Sequence, residues 1–287
     1  MLPTFIGIGP GRTGTSMLYE ALRSHPEVCM ARGTKETNYF AHHHRQGPGW
    51  YAQFFKTCGA EKARGEISNL YFYDPEVPAR IHAALPDVRL FTCLRNPFER
   101  LRSVYHYRLR SGEIPTTTSL DEAVRRYPDL TTDSCYATKL AGYYTHFERA
   151  QIQVLFYDDL VEDPVAFVQG LFRFLGISTA SIPAVVHERV NASAAARVPG
   201  IGEAARLLRH TGLRRILDWA KRSRWVRQAL LKPTGAPVTN PALHISEESF
   251  CGLLEAWGPE VEQVAQQEGR SLHHWLERPD WAHSDRL

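Results

Sequence analysis

Apolar positions in the first two thirds of the chain fall into short, nearly continuous runs, each followed by a stretch with helical spacing. Thr4 to Ile8 is the first run and passes into a glycine loop, after which Met17, Leu18, Ala21 and Leu22 recur at helical intervals. Val88 to Leu94 is the second. It runs into Arg95-Asn96-Pro97, and Pro97, at a favoured first-turn position, opens a helix from Phe98 to about Arg110. Ile152 to Phe156 is the third, with a helix over Pro164 to Leu175, and Cys135 to Phe147 reads as a further helix. Continuously apolar strands alternating with helices predict an α/β fold with a parallel sheet covered on both faces.

The pattern changes in the last third. From Ala204 it is helical, breaks at Lys232-Pro-Thr-Gly-Ala-Pro, and resumes after Ser246, a plausible N-cap with Glu247 and Glu248 in the first turn. The expected organisation is one domain over residues 1–287, with an α/β core at 1–200 and a helical annex at 201–287. Arg197-Val-Pro-Gly and Pro233 to Pro241 read as linkers. A hydrophobic content of 43% over 287 residues suits a single large core.

Charge and cysteine usage narrow the classes further. A formal net charge of +3 does not suggest a broad phosphate-tracking surface, so no nucleic-acid partner is expected. Cys29, Cys58, Cys93, Cys135 and Cys251 are odd in number and contain no CxxC pair, which predicts neither a disulfide framework nor a cysteine-rich zinc site, and fits a reducing cytoplasm. The N-terminus lacks the basic leader of a signal peptide, and no run approaches the ~18 apolar residues of a membrane span. A soluble cytoplasmic protein is the expectation.

Gly9-Pro-Gly-Arg-Thr-Gly-Thr-Ser16 lies between a strand and a helix, where backbone N–H groups and the helix dipole converge on one spot that favours an anion. Gly9 and Gly14 have the separation of a GxxxxGK[ST] loop, but Thr15 stands where that motif has Lys. An ATP or GTP site is thereby weakened. The cation sits inside the loop at Arg12, with Thr13, Thr15 and Ser16 offering hydroxyls, so the loop suits a phosphosulfate held without metal. An ordinary glycine turn is the bland alternative, and a second anion site weighs against it. Arg95 leaves the next predicted strand at the sheet edge where ligands bind, and Ser103 lies two turns into the following helix. Both could converge on one phosphate, or simply cap and brace the helix.

In these segments the chain resembles the PAPS-dependent sulfotransferases, in particular the heparan-sulfate and related carbohydrate branch and its bacterial relatives. Gly11-Arg-Thr-Gly-Thr-Ser is similar to the family's 5′-phosphosulfate loop, and Arg95-Asn-Pro with Ser103 to its 3′-phosphate site. Lys35-Glu-Thr-Asn-Tyr-Phe, Trp50-Tyr with Phe54-Phe55, Gly142-Tyr-Tyr, Phe156-Tyr-Asp-Asp-Leu and Ser271 to Trp275 match further family segments. The resemblance implies a P-loop-like sheet, PAPS as sulfuryl donor without a metal, and a carbohydrate or small-metabolite acceptor. It implies cofactor contacts from Gly11, Arg12, Thr13, Gly14, Thr15, Ser16, Arg95, Ser103 and, on the late closing loop, Arg197. The chain departs from the family pattern in three places. Arg12 replaces a usual Lys, Ile67-Ser-Asn follows Glu66 where Lys-Ser-Pro is common, and Asn191 to Gly200 offers only Arg197 where the family often has Lys.

Sulfuryl transfer needs in-line positioning, charge stabilisation and one group to take the acceptor's proton. The resemblance places the catalytic base at Glu36. Arg12 would offset charge on the leaving phosphate oxygen, and Lys35 either contacts the sulfuryl oxygens or is solvated. His42, His43 and His44 are a runner-up base, and a polar loop outweighs zinc ligation for them. Tyr39, Phe40, Trp50, Tyr51, Phe54 and Phe55 either wall an acceptor pocket or form ordinary core. From Arg206 to Lys232, nine Lys or Arg residues face a single acid, Asp218. That stretch is either a solvated amphipathic face or a docking surface for an anionic acceptor, an acidic carrier protein or a membrane surface. The rival functions are a kinase or nucleotidase on the same fold and a non-catalytic nucleotide-binding protein.

Overall fold

The computed structural model describes residues 1–186 and 243–282. Five strands, β1 (Phe5–Gly7), β2 (Val28–Met30), β3 (Ala63–Ile67), β4 (Arg89–Leu94) and β5 (Ile152–Phe156), form one sheet in the order β2-β3-β1-β4-β5, and every pairing is parallel. The expected α/β fold with a parallel sheet flanked by helices is what the chain forms. β1 pairs with β3 on one side and β4 on the other, with Gly7 in register with both Ile67 and Phe91. The segments leaving β1, β3 and β4 therefore emerge at one edge of the sheet, where the strand order reverses and ligands bind in folds of this class.

The chain separates into two compact units: Met1–Pro97, Cys135–Val190 and Trp257–Trp275 in the first, and Phe98–Ser134, Asn191–Ala256 and Leu276–Leu287 in the second. The expected boundary at residues 200/201, the linkers at 197–200 and 233–241, Arg197 and the basic stretch 206–232 lie outside the described residues.

The first unit holds the sheet. α1 (Thr15–Arg23) buries Met17, Leu18, Ala21 and Leu22, and α9 (Pro164–Leu175) buries Phe167, Val168, Leu171, Phe172 and Leu175, both at the i, i+3/i+4 spacing of a one-sided helix. These side chains join Phe5, Ile67, Phe91 and Leu155 in one core. Asp163 starts α9 by accepting the Val165 and Ala166 N–H groups at 3.0 Å each, with Pro164 in the first turn where a missing N–H costs nothing. α3 (Val77–Ala84) packs on α7 (Tyr136–His146), and the Tyr143 hydroxyl donates to the Tyr71 carbonyl at 2.7 Å. Trp275 is fully buried, with its indole N–H on Asp158 Oδ2 at 3.0 Å.

β2 and β3 were not legible as apolar runs. β2 is three residues long, and β3 reads Ala-Arg-Gly-Glu-Ile. Gly65 is in β3 for a packing reason: a Cβ there would stand 2.4 Å from ring atoms of Phe5, so glycine lets that ring lie across the neighbouring strand. Glu66 is tolerated in the core because its carboxylate is fully hydrogen-bonded.

The cysteine expectation needs correction. Cys29, in β2, and Cys58, just after the 3-10 turn Gln53–Phe55, are joined in a disulfide with Cα atoms 5.7 Å apart. They are 29 positions apart in sequence, and only the fold brings them together. The cysteine pattern therefore no longer argues for a reducing compartment. Among the described residues no helix is long and apolar enough to cross a membrane.

In the second unit, α4 (Pro97–Arg110) continues from the first, Ser119 caps α5 (Leu120–Arg126), and α6 (Asp129–Thr132) follows. Ser246 caps the helix Glu247–Glu268, as its sequence suggested: its Oγ accepts the Ser249 N–H at 3.2 Å. Its own N–H and hydroxyl both donate to Asp121 Oδ1, at 2.9 and 2.7 Å.

Candidate active site

The loop after β1 turns sharply into α1. Gly9 has φ 95, and a Cβ on it would lie 2.6 Å from the Asn69 carbonyl oxygen, so the loop can close on that backbone only at a glycine. The Thr92 hydroxyl donates to the Gly9 carbonyl from β4. The Thr13 hydroxyl, expected to face an anion, is instead buried and donates to the Pro10 carbonyl at 2.8 Å, so this side chain shapes the loop. Arg12 lies in the left-handed region at φ 72, a conformation that costs a non-glycine residue on the order of 1–3 kcal/mol and is held by the surrounding loop. Gly14 caps α1, presenting the first-turn N–H groups of Thr15 and Ser16 at the positive end of the helix dipole.

Two further chains of contact converge here. Arg95, leaving β4, donates Nη1–H to the Arg12 carbonyl at 3.3 Å, lies 4.4 Å over the Tyr157 ring, and has its own carbonyl bonded by the Tyr136 hydroxyl at 2.7 Å. Tyr73 accepts the Gly11 N–H on its hydroxyl at 3.1 Å. Arg12 and Arg95, predicted to serve two ends of one ligand, are thus in touch through the loop. Ser103 belongs to α4 in the second unit.

The Lys35–Glu36 segment is brought to the same loop. Lys35 Nζ stands 3.1 Å from Ser16 Oγ and 3.5 Å from Thr15 Oγ1. An ammonium thus reaches the place where GxxxxGK[ST] has its lysine, from a different part of the chain. Burial lowers the Lys35 pKa; the neighbouring carboxylates of Glu36 and Glu20 oppose the shift, and the Arg12 charge adds to it. Glu36 is half-buried beside it, and burial raises its carboxyl above the usual carboxylate range, against the pull of Lys35. Asn69 Nδ2–H donates to Glu36 Oε1 at 2.6 Å.

What holds this segment is a buried carboxylate that sequence reasoning did not single out. Glu66 is fully buried on β3 and accepts five hydrogen bonds. Oε2 takes the Thr37 N–H at 3.1 Å, the Thr37 hydroxyl at 2.6 Å and the Ser68 hydroxyl at 2.7 Å. Oε1 takes the hydroxyls of Tyr51 and Tyr71 at 2.6 and 2.9 Å. Such complete pairing is what allows a carboxylate into a core. The only sequence signal was the Glu66-Ile-Ser-Asn69 stretch, visible as a departure from the family pattern.

The aromatic cluster divides. Tyr39, Phe40, Tyr51 and Phe55 are core, with Tyr39 and Tyr51 stacked 4.3 Å apart, while Trp50 and Phe54 are half-buried and meet edge to face. His42 and His43 lie exposed on the π-helical turn Tyr39–His43, with His44 exposed after it. The rings of His43 and Trp50 are 5.0 Å apart. Among the described residues no group of three or more metal-ligating side chains converges.

A phosphate-type loop at the switch edge of a parallel sheet, with an ammonium and a carboxyl set against it, defines a P-loop-like α/β protein. Comparison with known proteins makes this specific. The family described as the sulfotransferase domain matches residues 3–194, well over half of the chain, and the chain belongs to that family. It is 28% identical over 207 residues to a bifunctional heparan sulfate N-deacetylase/N-sulfotransferase of Drosophila melanogaster, covering 61% of this chain and 20% of that protein. It is 31% identical over 183 residues to the heparan sulfate glucosamine 3-O-sulfotransferase 3B1 of Mus musculus, covering 61% of this chain and 46% of that one. The chain therefore spans less than half the length of either relative. Its fold is shared with a sulfotransferase from Alicyclobacillus acidocaldarius, at TM-score 0.68 and 20% identity over 96% of this chain and 100% of that one. It is also shared with a mouse sulfotransferase complexed with PAP, at TM-score 0.52 and 15% identity over 93% and 88%.

Proposed function

We propose that this protein transfers a sulfuryl group from 3′-phosphoadenosine 5′-phosphosulfate (PAPS) to a hydroxyl or amine of a carbohydrate or small-metabolite acceptor, with Glu36 as general base. The observation that carries this reading is the seating of Lys35 against Ser16 and Thr15, which sets the Glu36 carboxyl beside the phosphate loop. The residues fit such a donor. Loop N–H groups, Arg12, Lys35 and Arg95 supply donors and positive charge to an anion, and Arg12 is held at φ 72 where a relaxed arginine would not sit. When bound, the donor supplies a sulfur–oxygen bond that breaks toward the 5′-phosphate while sulfur bonds to the acceptor, leaving adenosine 3′,5′-bisphosphate.

Glu36 takes the acceptor's proton, and its raised pKa brings its basicity nearer to that of the group it deprotonates. Lys35 and Arg12 offset negative charge that grows at the loop as the bond breaks. Ser103 and Arg197 are retained as proposed ligands of the 3′-phosphate, on the family resemblance. The acceptor class is supported by the heparan sulfate sulfotransferases among the relatives.

A kinase reading fits less well. In Mg-nucleotide sites the hydroxyl of the residue equivalent to Ser16 faces the metal, whereas here it is engaged by the Lys35 ammonium. Calorimetric titration with adenosine 3′,5′-bisphosphate in EDTA, against ATP with magnesium, separates the two. Tight metal-free binding of the bisphosphate is expected; preference for Mg-ATP would overturn the proposal. Glu36→Gln that bound the bisphosphate and kept full turnover would point to a different base.

A further inference from the structure

Asn69 opens the 3-10 turn Asn69–Phe72 directly after β3. Its neighbour Ser68 is pinned on three sides. Its N–H donates to the Gly7 carbonyl at 2.9 Å, its hydroxyl donates to Glu66 Oε2, and its Oγ accepts the Asn38 N–H at 3.1 Å. Asn69 is therefore delivered to a fixed place. On one side its backbone lies under Gly9, close enough that a Cβ on Gly9 would stand 2.9 Å from the Asn69 Cα. On the other, its amide reaches Glu36 Oε1 at 2.6 Å. The amide can adopt only one orientation there, since a carbonyl oxygen turned toward the carboxylate would meet it acceptor to acceptor.

Among the described residues Asn69 is the one side chain that hydrogen-bonds the Glu36 carboxylate, and the Asn69 backbone N–H also favours its ionised form. The Glu36 backbone is held from its other flank by the Thr37 bonds to Glu66.

We infer that Asn69 is a positioning residue for Glu36: its side-chain amide fixes Oε1 and so sets the orientation of the carboxylate, while tying the base to the phosphate loop. This inference rests on Glu36 being the base. Asn69 acts through Glu36, and its effect should appear as an altered basicity of that carboxyl with the anion site intact. The charged groups facing Glu36 are Lys35, which favours the carboxylate, and Glu66, which disfavours it; the Asn69 backbone N–H favours it too and stays in any side-chain variant, and the Asn69 side-chain N–H at 2.6 Å adds a second neutral donor. Loss of that donor raises the Glu36 pKa further.

The test is a carbon-13 NMR titration of glutamate-labelled full-length protein saturated with adenosine 3′,5′-bisphosphate, the Glu36 signal being identified by its loss in Glu36→Gln. In Asn69→Ala the midpoint should rise by about one pH unit, the tenfold change expected for losing a hydrogen bond to a charged group. In Asn69→Asp, which places a second carboxylate beside it, the midpoint should rise further. Affinity for the bisphosphate should stay within about twofold in Asn69→Ala, because that change leaves the Asn69 backbone under Gly9 in place and adds no charge beside the loop. An unmoved midpoint would overturn the inference, as would a midpoint that moves in Asn69→Ala only together with a large loss of bisphosphate affinity. Full turnover by Glu36→Gln would instead remove the base itself while leaving the titration result standing, so the two failures are distinct.

Discussion

Thr37 gives both its amide N–H and its hydroxyl to one oxygen of the buried Glu66 carboxylate, at 3.1 and 2.6 Å. Thr37 follows Glu36 directly, so the residue that carries the proposed base is tethered to β3 of the sheet. A carboxylate with five donors at 0% exposure is both a structural pin and a liability, because removing it orphans every partner at once.

Glu66→Gln therefore places an amide N–H₂ among hydroxyl and N–H donors. Destabilisation of about 2–5 kcal/mol is expected, read as a lower urea midpoint at an unchanged slope. A midpoint equal to that of the wild type would show that the network contributes nothing net to the fold.

Glu36 makes the opposite kind of prediction. Its pKa is raised in the folded state, chiefly by burial, so the carboxyl holds its proton more tightly folded than unfolded. Folding is favoured by this group below its unfolded value of about 4.3 and that contribution is lost as pH rises through the raised folded value. Glu36→Gln should thus melt higher than the wild type at pH 8 and converge with it below about pH 4. Turnover should fall by about 10²–10⁴-fold at the same time. A variant less stable than the wild type at pH 8 would contradict the burial account.

Lys35 links affinity to alkaline pH. Burial lowers its pKa, and only the protonated ammonium attracts an anion at the loop. The affinity for adenosine 3′,5′-bisphosphate should weaken earlier on raising pH than an ordinary lysine near 10.4 would dictate. Lys35→Met should bind about tenfold more weakly at pH 7 and lack this alkaline fall, measured by calorimetry across pH 7–10. A variant that kept the same alkaline fall would assign it to another group.

The Cys29–Cys58 bond closes a loop that contains Lys35, Glu36 and Thr37. For a separation of 29 residues, loop-closure entropy assigns it about 3.5 kcal/mol of stability. Cys29→Ala with Cys58→Ala should lower Tm by about 7–14 °C in calorimetry. Adding a reductant to the wild type should reproduce the fall, and a reductant-insensitive Tm would argue that the two thiols are not bonded in solution.

Local regularities were legible in the chain alone. The runs at Thr4 to Ile8, Val88 to Leu94 and Ile152 to Phe156 could be read as strands because continuous apolarity is what a parallel strand buried on both faces demands. The Gly9–Ser16 loop and the helix cap at Ser246 were readable for the same reason, since glycine spacing, proline and capping side chains act within a few residues of themselves. Pairings across distance were decided only by the tertiary structure. Lys35 meets Ser16 over 19 residues, Asn69 meets Glu36 over 33, and Cys29 meets Cys58 over 29. Such partners are chosen by which strand ends share an edge of the sheet, and no local spacing carries that information. β3 hid for a related reason: a strand that reads Arg-Gly-Glu becomes core only when five hydrogen bonds, three of them from the distant Thr37 and Tyr51, surround its carboxylate.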